Sequence, residues 1–182
     1  ERFRPIKSDL RAKYGLRAPR LLLAVAAQWD ERKGLRYLLE AMGELGGDYQ
    51  LVVLGLNEHQ RAELPASVLG LPGTNSVDEL CAWYTAADVF CNPTMEDNMP
   101  LVNLEALACG TPVVVFATGG CVECVDDAVG AVTPRANVPA FAKAIRRVAE
   151  RELTAACLER AARFDKNACY QAYLDLYREV LA

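Results

Sequence analysis

The chain alternates two kinds of apolar pattern. Short β-rich runs, Leu21–Ala26, Tyr49–Leu54, Val89–Asn92, Pro112–Phe116 and Gly130–Thr133, with a weaker one at Val68–Leu71, are separated by segments of helical spacing. Several runs are apolar on consecutive rather than alternate residues, which is what strands need when helices cover both faces of their sheet.

Helix boundaries are readable in between. Leu35, Leu38, Leu39, Met42 and Leu45 share one helical face, and Gly46-Gly47 supplies a left-handed stop. Ser76-Val77-Asp78-Glu79 reads as a capping box that opens a helix running to Ala86. Pro100 fits a first-turn position, where its missing N–H costs nothing, and Gly110 follows the end of that helix. Asn137 caps a helix from Val138 to about Arg151, and helices at Leu153–Arg163 and Lys166–Leu181 finish the chain. Strands joined by helical crossovers pair in parallel through right-handed connections. The pattern predicts an α/β fold, a doubly wound (Rossmann-like) parallel sheet of about six strands with helices on both faces. Ligands of such sheets lie beyond the carboxyl ends of the strands, where strand order reverses. The loops after Ala26, Leu54, Asn92 and Phe116 are therefore the places to look.

Composition narrows the function classes. A chain of 182 residues is about one domain and buries roughly 70% of the surface its unfolded form exposes. With 52% hydrophobic and 24% charged residues it reads as globular. A net charge of −4 argues against a domain that grips nucleic acid, although one anionic ligand can still be held locally. Seven cysteines, an odd number irregularly spaced, suit a reducing compartment better than a disulfide framework. The longest apolar runs, Leu21–Ala27 and Pro112–Ala117, fall far short of the ~20 residues of a membrane helix, so no transmembrane segment is expected. The first residue is Glu1, with no Met, and a piece of a longer polypeptide is the expectation.

The chemistry concentrates after the fourth clear strand. Asn92-Pro93-Thr94-Met95-Glu96-Asp97-Asn98-Met99-Pro100 leads into a helix that holds Glu105 and ends in Ala108-Cys109-Gly110-Thr111-Pro112-Val113-Val114. N–H groups at the start of that helix and its positive dipole end favour a diphosphate beside Asn98, Met99, Pro100 and Leu101. Glu105 is placed to accept hydrogen bonds from a ribose, and Asp97 sits in the loop beside it. The plainer reading makes Asp97 or Asn98 a helix cap and Glu105 a solvated charge.

An acidic residue, seven intervening residues, a Glu and the string Ala-Cys-Gly-Thr-Pro-Val-Val resemble the retaining glycosyltransferases of group 1 (family 4), here as Asp97 to Glu105 and Ala108 to Val114. Asp97 stands where Glu is usual, with Glu96 one place out of register. A second match is Ala27-Gln28-Trp29-Asp30-Glu31-Arg32-Lys33-Gly34, where the family has an Arg and a Lys on the donor diphosphate. Lys33 keeps the Lys, but Gln28 occupies the Arg position; Arg32 is a candidate replacement or a surface charge. A third is Thr118-Gly119-Gly120-Cys121-Val122-Glu123, with glycines that permit close backbone approach to a ligand. Cys121 and Cys124 form C-x-x-C without a second Cys/His pair, which disfavours zinc or redox work. His59 reads as a surface residue, and Ser8, Ser67 and Ser76 have no triad partners nearby in sequence.

The resemblance runs from about Phe3-Arg4-Pro5 to the end. It implies that residues 1–182 are the C-terminal donor-binding half of a two-domain (GT-B) enzyme whose N-terminal acceptor domain is absent, and that the closing helix packs on that domain. It implies retention, a UDP- or GDP-linked sugar donor, a glycan or lipid-linked acceptor, no essential metal, and a cytoplasmic enzyme of polysaccharide assembly at the inner membrane face. Lys33, Asp97 and Glu105 would be its catalytic residues. Three rival readings remain: a dinucleotide-dependent oxidoreductase, opposed by the lack of a Gly-x-Gly-x-x-Gly at Ala26–Asp30; a non-catalytic nucleotide-binding domain; and a sugar-nucleotide epimerase.

Overall fold

A computed structural model describes residues 2–181. Strands β1 (Arg20–Val25), β2 (Tyr49–Leu54), β3 (Val68–Leu71), β4 (Val89–Asn92), β5 (Val113–Phe116) and β6 (Gly130–Thr133) form one sheet. All pairs are parallel, in the order β3-β2-β1-β4-β5-β6. The chain builds outward from β1 in one direction, returns, and continues from β4 in the other. Order therefore reverses between β1 and β4, where Leu22 and Leu23 pair with Val89 and Phe90.

Helices cover both faces. Tyr37 of α2 (Leu35–Leu45) and Phe141 of α7 (Val138–Ala149) meet Phe116, with ring centroids 5.4 and 4.9 Å apart. Against the opposite face, Tyr84 of α4 (Val77–Ala86) stands edge-on to Phe90 at 5.3 Å, beside α5 (Leu101–Ala108) and, beyond it, α8 (Thr154–Ala162). The inner strand residues Leu21 to Ala24, Leu51 to Leu54 and Val113 to Phe116 are all buried, as a sheet covered twice requires.

Differences from the expected boundaries have local causes. Pro100 lies at the N-cap of α5 with extended backbone rather than inside its first turn. Ser76 Oγ accepts from Glu79 N–H, but Glu79 takes a hydrogen bond from Thr74 Oγ1 instead of returning one to Ser76, so only half the capping box forms. A full box forms at Asn57 and Gln60, which open α3 (Glu58–Ala62). This helix, α1 (Leu10–Lys13) and α6 (Cys121–Cys124) span barely one turn each and carry no readable period. The last helix, α9 (Lys166–Val180), is capped by Asp165, and every residue from 162 to 181 is exposed.

The packing assigns a large share of stability to the α2 and α7 face. Phe141→Ala should cost about 3–5 kcal/mol in urea unfolding, because the buried ring leaves a cavity against Phe116; a loss below about 1 kcal/mol would mean that α7 is not fixed to the sheet as described.

Candidate functional site

At the reversal between β1 and β4 a cavity of about 410 Å³ opens at the carboxyl edge of the sheet. Gln28, Arg32, Lys33, Asp97, Met99, Pro100 and Leu101 all line it. Two of the residues read as donor contacts stand outside its lining. Asn98 is exposed, with its carbonyl packed against Gly120 while the Gly120 N–H donates to the Asp97 carbonyl, and Glu105 lies one turn further along α5 than Leu101 and Val102. A second cavity, about 510 Å³, lies at the other edge of the sheet among Arg17, Tyr49 and Ser67, and none of the predicted site residues reaches it.

Three loops are locked together to make the first cavity. Thr94, fully buried, has its hydroxyl within 3.2 Å of both the Arg32 and Glu96 carbonyls, while its own carbonyl accepts from Thr118 Oγ1 at 2.9 Å. Met95 N–H adds a 2.6 Å bond to the Arg32 carbonyl. One residue thereby ties the loops after β1, β4 and β5. Gly34, at φ 72°, turns from a single 3-10 turn (Glu31–Lys33) into α2 where any Cβ would strike the Pro93 carbonyl. Gly119 and Gly120 press in the same way on the carbonyls of Asp97 and Asn98. The close approach read for these two glycines is thus made to the neighbouring loop itself. Trp29 pins the far side, donating from Nε1 to the Leu54 carbonyl at 2.8 Å, and Gln60 Nε2 donates to the Trp29 carbonyl.

The charges in this frame are partly paired. Lys33 Nζ meets Asp97 Oδ2 at 2.7 Å, with both side chains about three-quarters buried. Arg32 turns back onto Asp30 at 3.0 Å; desolvation works to raise the Asp30 pKa, but that guanidinium and the Lys33 N–H together outweigh it and lower the pKa. Gln28 is exposed, and its amide is bonded to no other described residue. Leu101 and Val102, whose N–H groups open α5 without intrahelical partners, stand on the cavity wall. The site thus presents one ammonium, a helix N-terminus and a free amide to a space large enough for a small organic ligand. Glu105 accepts from Tyr84 Oη at 3.0 Å, and burial raises its pKa while that hydrogen bond opposes the rise.

Sequence reasoning passed over Thr94, Tyr84 and the buried pair Asn92 and Asn103, joined at 2.8 Å. Thr94 and the two asparagines lie within or beside the motif that was read, so a polar residue among expected core positions was the available signal. Tyr84 gave none. Cys121 and Cys124 are buried, their thiols pushed up by desolvation, and hydrogen bonded to Thr118 and Asn103. Among the described residues no three Cys, His, Asp or Glu side chains gather in a group able to hold a metal. His59 lies exposed on α3 beside Glu63.

Strand order, helix layers and a crevice at the reversal define one Rossmann-like half of a GT-B glycosyltransferase fold. The chain belongs to the family described as "Glycosyl transferases group 1", which it matches over residues 6–169. A D-inositol 3-phosphate glycosyltransferase of Saccharomonospora viridis is 35% identical over 208 aligned residues, covering 100% of this chain and 48% of the relative. Another of the same name from Kribbella flavida is 33% identical over 90% of this chain and 41% of its own length. The chain thus spans about half the length of the curated relatives it matches. A sucrose-phosphate synthase structure from Thermosynechococcus elongatus superposes with a TM-score of 0.82 at 28% identity, over 99% of this chain and 50% of the other. The fold is shared also by Anabaena HepE, solved in complex with UDP (TM-score 0.76, 21% identity, 94% of this chain and 52% of the other).

The backbone contact at Gly34 sets a direct test. Gly34→Ala should destabilise the chain by more than about 2 kcal/mol, since a left-handed alanine and a displaced Pro93 carbonyl add up. Unchanged stability would show that the loops after β1 and β4 are not in contact there.

Proposed function

We propose that residues 1–182 are the donor-binding domain of a retaining glycosyltransferase that moves a sugar from a UDP- or GDP-linked donor to an acceptor held by a preceding domain. The observation that carries this reading is the convergence of Lys33, Asp97 and the start of α5 on one cavity at the strand reversal. Loss of the nucleoside diphosphate gathers negative charge on its leaving oxygen, and preorganised donors aimed at that charge lower the barrier. Lys33 and the N–H groups of Leu101 and Val102 fill this role, without an essential metal. Asp97 faces the donor sugar, and Glu105 takes the ribose hydroxyls. Gln28, Arg32, Met99 and Pro100 complete the donor contacts from the cavity wall, with Asn98 beyond it. No covalent nucleophile is assigned.

Lys33 cannot serve Asp97 and a diphosphate equally, so donor binding draws the ammonium toward phosphate and leaves the Asp97 carboxylate to the sugar. The acceptor is a glycan or lipid-linked saccharide, in a cytoplasmic enzyme of polysaccharide assembly that sits peripherally at the membrane. The names of the curated relatives favour a second acceptor class, a phosphorylated polyol. No helix among the described residues is long and apolar enough to cross a membrane. The acceptor domain packs on α9, whose Tyr170, Tyr173, Leu174 and Tyr177 are otherwise exposed apolar surface, and residues 1–182 on their own bind donor weakly and transfer little or nothing.

A thermal-shift and calorimetric panel of UDP, GDP, their sugar conjugates and bare nucleosides tests the proposal. A ligand at 100 times its dissociation constant stabilises by about 2.7 kcal/mol, and diphosphates should bind while nucleosides do not. Lack of binding by every diphosphate overturns the reading; loss of diphosphate binding on added EDTA overturns its metal-free part. Within the panel, Gln28→Arg should strengthen diphosphate binding by about 1 kcal/mol or more, an effect that shrinks with salt and is absent for nucleosides. Unchanged affinity in that variant, with binding abolished by Lys33→Ala, would hand the second cation to Arg32.

A further inference from the structure

The Tyr84 ring is fully buried, edge-on to Phe90 at 5.3 Å and to Phe3 at 6.4 Å, and these contacts account for its hydrocarbon. They do not account for its hydroxyl. That group crosses from α4 to α5 and donates to Glu105 Oε2 at 3.0 Å, the only hydrogen bond to this carboxylate among the described residues. Glu105 lies three and four residues after Val102 and Leu101, hence on the helical stripe that lines the cavity, one turn deeper. With Oε2 of this partly buried carboxylate held by Tyr84, Oε1 is left as the acceptor without a partner among the described residues.

We infer that Tyr84 is a positioning residue, whose hydroxyl holds Glu105 so that its second oxygen faces the sugar ring of a bound nucleotide. The inference rests on the proposed donor site and adds to it a residue outside the cavity that sets recognition of ribose. A bound ribose offers two vicinal hydroxyls as donors, and Glu105 meets them with the oxygen Tyr84 leaves open. Without the hydroxyl the carboxylate turns toward solvent or toward Arg2, whose positive charge also bears on it. The packing role of Tyr84 is kept by phenylalanine, so the two roles separate in one substitution.

The test compares UDP, GDP, their 2′,3′-dideoxy analogues and inorganic pyrophosphate on the wild-type chain and on Tyr84→Phe, by NMR titration. The wild type should prefer the ribonucleotide over its dideoxy analogue roughly tenfold. Tyr84→Phe should reduce that preference to near unity, with pyrophosphate affinity unchanged. The carboxyl carbon of Glu105, followed by 13C NMR, should titrate at higher pH in the variant, because a hydrogen bond that favours the ionised form is gone. Full ribose preference and an unmoved Glu105 titration in Tyr84→Phe overturn the inference alone. Failure of both diphosphates to bind the wild type overturns the donor site beneath it, and the inference with it. If loss of the hydroxyl prevents folding, 3-fluorotyrosine placed at position 84 keeps the packing and strengthens the donor. It should then lower the Glu105 titration, and an unchanged titration overturns the inference.

Discussion

Everything at the carboxyl edge of this sheet depends on the segment from Pro93 to Asn98 being touched by other backbone on two sides. Gly34 abuts the Pro93 carbonyl, Gly119 and Gly120 abut the carbonyls of Asp97 and Asn98, and Thr94 hydrogen bonds in both directions from between them. A side chain at any of the three glycine positions would wedge two loops apart. Thr94 forms its bonds only when those loops are closed, so sterics and hydrogen bonding reinforce one arrangement. Its product is a rigid rim that puts Lys33 within 2.7 Å of Asp97 although the two lie far apart in the chain. Loops fixed in this way stay in place when a ligand arrives, so that only side chains such as Lys33 need to move.

Much of the fold is legible in the sequence because doubly covered strands leave a strong mark. Runs such as Leu21–Ala26 and Pro112–Phe116 are too apolar for any half-exposed strand, and the observed β1 and β5 begin or end within one residue of them. Helix α2 likewise falls where its apolar spacing puts it, and α4 begins at the Ser76 cap and ends at Ala86. Single-turn helices are a different case: α3 is held by a reciprocal Asn57 and Gln60 cap, a tertiary-independent device that leaves no periodicity.

For the site, the motifs in the sequence point to residues that the fold gathers at one cavity, with Asn98 and Glu105 outside its lining, and they say nothing of what orders them. Gln28, Lys33, Asp97, Met99, Pro100 and Leu101 meet in one cavity because the order of the strands reverses between β1 and β4. The glycines of the third motif read as space for a ligand and instead admit a neighbouring loop, since a sequence does not say which body makes the close approach. Arg32 is adjacent to Lys33 in the chain yet folds onto Asp30, because the 3-10 turn rotates consecutive side chains apart. Glu105 shares a helix with the cavity wall and is drawn to Tyr84, a partner contributed by a different helix and invisible from either motif.

The central claim is that the crevice between β1 and β4 holds a nucleoside diphosphate, and backbone amide shifts during titration with UDP or GDP test it most directly. The account predicts that the large changes cluster in residues 26–34 and 97–103, with Thr94 and Gly119 moving through the contacts that join them. Saturating shifts centred on Arg17, Tyr49 and Ser67 at the opposite edge of the sheet, with the crevice silent, would contradict it.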